Sequence, residues 1–135
     1  MTQGRDILWT PSVGRYQAST MAAFERYLSK KHDLAFSDYN DMWRWSISDL
    51  NSFWGAIADF FELRFFEQPQ KILNKRAMPG AEWFVGAKVN YADQLLSKTD
   101  RLAEQVAFVS NSETIGRKDV TWNNLKHSVA SVAEN

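Results

Sequence analysis

The sequence predicts an α+β fold that is mainly helical, with a helical N-terminal region followed by a β-hairpin and one more helix. Three observations predict it. From Leu50, the residues Leu50, Phe53, Trp54, Ile57, Phe60 and Phe61 fall within an arc of roughly 120° when wound at 3.6 residues per turn, which makes one apolar helix face. From Val106 the texture changes to a strand candidate, a polar loop containing Gly116 and a return strand, the order of a hairpin. The chain also spends 14% of its 135 residues on Phe, Trp and Tyr while its mean hydropathy is negative, so the apolar surface is concentrated in a few large rings.

In chain order, Met1 to Ala18 carry no helical or strand period, and Trp9 with Pro11 suggests an extended arm held by a ring. Ser19 can cap a helix of about three turns in which Met21, Phe24 and Leu28 share a face, with Lys30, Lys31 and His32 at its negative end. Ser37, Asp38 and Asp41 read as the acidic start of a short helix ending near Trp45. A break at Ser46 turns Trp43 and Trp45 toward the next helix, which runs from Ile47 to Glu62, with Ser46 and Asp49 resembling a capping box. Six large side chains on that helix at about 1.5 to 3 kcal/mol each predict on the order of 10 kcal/mol of gross burial, with Trp54 as a core residue. The stripe ends before Pro69; Lys71 to Leu73 reads as a short extended piece, Pro79-Gly80 as a turn and Trp83 to Val85 as a short strand. Asn90 caps a brief helix with Tyr91, Leu95 and Leu96. Val106 to Ser110 and Lys118 to Val120 are the hairpin strands, Asn111 to Arg117 the loop, and Thr121 the cap of a helix striped by Trp122, Leu125, Val129 and Val132 that runs to Asn135 without a stop signal.

Composition narrows the function. Sixteen basic and 16 acidic residues balance, with no basic patch or stripe, which argues against a nucleic-acid partner or an anionic membrane surface. The absence of cysteine excludes a disulfide scaffold, a thiol nucleophile and a thiolate metal site. No apolar run approaches a membrane span and the first residues lack a signal core, so the expected setting is cytoplasmic. Nothing in the pattern fixes an oligomeric state.

No residue set reads as an active site: catalytic, cofactor-binding and metal-ligating residues are all expected to be none. His32 and His127 lack partners at metal spacing. Asp38 with Asp41, and Asp59 with Glu62, are carboxylates one helical turn apart, a spacing that a general acid and base can use but that more often marks the wet side of a helix. Ser12 has no positioned base, and Gly80 and Gly86 do not form a phosphate-cradling loop.

A family resemblance is nonetheless carried by ordered motifs: Leu8-Trp9-Thr10-Pro11-Ser12 with Arg15, then Ser19, Met21 and Phe24, then Asp38-Tyr39 with Leu50 and Phe53-Trp54, and most specifically Met78-Pro-Gly-Ala-Glu-Trp-Phe-Val-Gly-Ala-Lys-Val-Asn-Tyr-Ala92. Together they resemble the N-terminal region of the acetoacetate-CoA ligases, or acetoacetyl-CoA synthetases, within the adenylate-forming acyl-CoA synthetases. The resemblance implies an enzyme that activates acetoacetate with ATP to an acyl-adenylate and passes the acyl group to coenzyme A, with ATP, Mg and CoA as the cofactors of the full-length enzyme and none bound by this fragment. It implies a helical cap over 1–100 and a truncated start of the AMP-binding domain over 101–135, the missing remainder of that domain being the partner. The family's phosphate loop, adenine and magnesium motifs and C-terminal lysine have no counterpart here. Two other readings are the cap of an acetyl- or propionyl-CoA synthetase and a stand-alone helical interaction module without enzymatic activity.

Overall fold

In the computed structural model, residues 8–97 and 99–134 are described; the first seven residues of the expected arm, and Asn135, where the last stripe was expected to run out, lie outside them. The described elements are six α-helices, one 3₁₀ turn and two two-stranded sheets, an α+β architecture dominated by helix. They group into two compact units, one drawn from Met1–Leu63 and Ile72–Trp83, the other from Arg64–Lys71 and Phe84–Asn135.

In the first unit, α1 (Val13–Gln17) occupies part of what the sequence suggested was an extended arm. Ser12 supplies the signal, its side chain accepting the Arg15 N–H at 3.4 Å, and the helix is too short to show a period. Trp9 is exposed, and the Arg15 guanidinium lies 6.0 Å from its ring centre. α2 (Thr20–His32) starts on Ser19 as expected, with its oxygen accepting the Ala22 N–H at 3.1 Å. It ends on Asp33, which takes the left-handed conformation (φ 53°) that aspartate tolerates better than most residues. Phe24 and Leu28 are buried, whereas Met21 is largely exposed.

α3 (Tyr39–Ser48) is capped by Asp38 through the Asp41 N–H at 2.9 Å, and α4 (Leu50–Phe60) by Asp49 through the Ser52 N–H at 3.1 Å. The break therefore falls at Asp49 and not at Ser46. Ser46 is inside α3, where its hydroxyl donates to the Trp43 carbonyl one turn back, so it cannot cap the following helix. Asp49 does both jobs: its N–H closes α3 on the Trp45 carbonyl and its carboxylate opens α4.

The core of this unit is Phe24, Leu28, Met42 and Ala56, with Phe36, Trp45, Phe53, Ile57 and Phe60 packed half-buried around it. It is built on ring contacts: Phe24 meets Phe60 at 5.1 Å and Phe53 at 6.3 Å, and Trp45 sits between Phe36 (5.5 Å) and Phe53 (5.6 Å). The fully buried positions of α4 are the small residues Ala56 and Ala58, and Trp54 is 39% exposed. Trp45 thus packs onto α4 as expected, whereas Trp54, expected in the core, lies toward solvent. Trp43 is also exposed, so only one of the two α3 tryptophans turns onto α4.

The expected short pieces appear as β1 (Lys71–Leu73) and β2 (Trp83–Val85), which pair as a two-stranded sheet. Within the first unit, Asn51 accepts the Leu73 N–H at 3.1 Å and Arg76 donates to the Ile47 carbonyl at 3.0 Å.

The second unit holds α5 (Tyr91–Leu96), capped by Asn90 through the Asp93 N–H at 3.1 Å, and an Arg64 whose N–H donates to Gln94 at 2.7 Å while its guanidinium meets Asp93 at 3.2 Å. Phe65 stacks on Phe84 at 5.7 Å. The hairpin is longer than the sequence suggested: β3 (Val106–Ser112) pairs antiparallel with β4 (Gly116–Thr121) and leaves only residues 113–115 as the turn, with Gly116 at φ 74°. α6 (Trp122–Ala133) begins on Thr121, as expected. A 3₁₀ turn, Asp100–Leu102, has no counterpart in the sequence reading, and it leads into the segment that receives α6: Trp122 donates to the Gln105 carbonyl and Asn123 to that of Ala103, both at 3.0 Å, and Lys126 meets Asp100 at 2.6 Å.

Candidate functional site

Asp38 is spent on the α3 cap, and Asp41 accepts from Ser37 and, at 2.8 Å, from Arg44. Those bonds, the Ser37 hydroxyl first, hold the Asp41 carboxyl below the usual range and keep it an anion, the opposite of what a general acid needs. Asp59 and Glu62 do not share a helix face, because α4 ends at Phe60 and Glu62 has φ 51°. Asp59 instead closes a clamp between α2 and α4, accepting from Lys31 and, at 2.6 Å, from the Tyr27 hydroxyl, with the Lys31 ammonium 5.5 Å from the Tyr27 ring centre. Lys31 chiefly, and Tyr27 next, depress the Asp59 carboxyl; burial, followed by the bond to Asp59, raises the Tyr27 hydroxyl.

His32 packs its ring at 5.6 Å against Tyr27. His127 lies on α6 with Nδ1 2.8 Å from the Asn123 carbonyl one turn back. It borders an open cleft of about 310 Å³ with Thr99, Asp100, Lys126 and neighbouring small residues. Three of the cleft's polar side chains are already engaged: Thr99 donates to the Leu96 carbonyl at 2.7 Å, and Lys126 is paired to Asp100. Among the described residues no three His, Cys, Asp or Glu side chains are grouped to hold a metal, and no buried side-chain polar atom lacks a hydrogen-bond partner. Ser12 caps α1. Asp38, Asp41, Asp59, His32 and Ser12 are thus each engaged in a cap, an ion pair or a ring contact.

What the first unit does present is apolar surface. Trp54 and Trp83 meet edge to face at 5.6 Å, both partly exposed, beside a shallow groove of about 270 Å³ edged by Leu50, Leu73, Arg76 and the exposed Met78. A second, narrower groove of about 120 Å³ lies between α2 and α3 at Met21, Tyr39 and Trp43. Rings of this size left half in water are what a docking face offers. The signal in sequence was the excess of tryptophan; which rings stay outside could not be read there. Among the described residues no helix is long and apolar enough to cross a membrane.

Comparison with known proteins gives this surface a context. Residues 39–95, which include the Met78–Ala92 motif, match the family described as acetyl-coenzyme A synthetase N-terminus. The class this likeness points to is the N-terminal region of acyl-CoA synthetases. Within it, nearly the whole chain is similar in sequence and fold to the N-terminal region of acetoacetyl-CoA synthetases. The solved acetoacetyl-CoA synthetase from Streptomyces lividans superposes with a TM-score of 0.85 at 33% identity over 96% of this chain. A malonamoyl-CoA synthetase from Penicillium aethiopicum is 31% identical over 93% of the chain, and the acetoacetyl-CoA synthetase of Danio rerio 28% over 94%. The chain spans only 18–20% of the length of these three relatives.

Proposed function

We propose that this chain forms the N-terminal part of an acyl-CoA synthetase that acts on acetoacetate, joining it to coenzyme A at the expense of ATP through an acyl-adenylate. The observation that carries the reading is the agreement in fold and sequence with an acetoacetyl-CoA synthetase over 96% of the chain. In this reading residues 1–100 are a helical cap and 101–135 open the AMP-binding domain. ATP, Mg and CoA are bound by sequence outside these 135 residues, and the exposed rings of the first unit dock onto that remainder in the cytoplasm. The 31% identity to a malonamoyl-CoA synthetase favours a second acyl group, malonamate, which like acetoacetate carries a carbonyl β to its carboxylate.

The purified 135-residue chain should show only background exchange between pyrophosphate and ATP in the presence of acetoacetate, since among the described residues no three His, Cys, Asp or Glu side chains are grouped to hold a metal. A longer protein beginning with this chain should show acetoacetate-dependent exchange, and stronger exchange with malonamate would select the second reading. Exchange by the chain alone, or none by the longer protein with either acid, would refute the proposal.

A further inference from the structure

We draw no further inference here: the strongest candidate, the shallow apolar groove of the first unit edged by Leu50, Leu73 and Trp83, belongs to the docking face already described, and nothing in the structure shows what else covers it.

Discussion

At the scale of single residues, burial ranks the aromatics. Leu28 is 0% exposed at the centre of the first unit, and Leu28→Ala should cost about 2 to 5 kcal/mol, read from the midpoint of urea unfolding. Trp45, wedged between Phe36 and Phe53, should cost more on truncation to alanine than the partly exposed Trp54, by about 1 to 2 kcal/mol. Equal losses for the two tryptophans in the same titration would contradict the packing described. Gly86 holds φ 77°, and a Cβ there would also lie 3.4 Å from the Gln70 amide nitrogen, so Gly86→Ala should destabilise by about 1 kcal/mol or more.

At the scale of elements, the joints between helices are polar and depend on pH. Asp49 serves both α3 and α4, and Asp49→Ala should cost about 0.5 to 2 kcal/mol at neutral pH. Hydrogen bonds from Ser52 hold its carboxyl below the usual range, so its contribution is present above the unfolded-state pKa and is lost as pH falls through the lower folded value. The α2–α4 clamp is bounded on both sides. Asp59 is depressed in the folded state and loses its contribution in acid by the same sign; Lys31 and Tyr27 are both raised, so theirs is present below their unfolded values and is lost as pH rises through the folded ones. Asp59→Asn should lower the unfolding midpoint at pH 7, and the difference from the parent chain should close as both are taken down through the carboxylate range. A gap of constant size at every acidic pH would show that the Asp59 charge is not what joins the helices. The magnitude should be small, since both partners of the ion pair are more than half exposed.

At the scale of the whole molecule, protection should be uneven. The first unit encloses a shared aromatic core, whereas β3 and most of β4 are exposed and no residue of α6 is fully buried. Amide hydrogen exchange on dilute protein should therefore be slowest near Ala56 and Ala58 and much faster near Val109 and Ser110. The N-terminal turn of α6, tied to Ala103 and Gln105, should be protected more than Val132 near its end. Uniform protection over 106–134 and α4 alike would mean that the second unit is stabilised by more than these contacts supply.

The sequence by itself determined the α+β class, the starts of four helices and the placement of the short strands, because those signals are local. Ser19, Asp38, Asn90 and Thr121 each offer an oxygen to an N–H within the next three residues, and no distant contact is needed to express that preference. The ordered motifs from Leu8 to Ala92 likewise carried the likeness to acetoacetyl-CoA synthetases, since a likeness of that kind is written in residue order. Tertiary structure decided the rest. Ser46 and Asp49 are both competent caps, and only the packing of Trp45 between Phe36 and Phe53 fixes which of them ends a helix. The stripe on α4 marks six large residues as equally apolar, yet Ala56 and Ala58 are the buried ones, because small side chains let α4 approach its neighbours closely and the larger rings then splay to the rim. Periodicity reports which way a side chain points from its own helix. Whether another element stands in front of it is a property of the assembled chain.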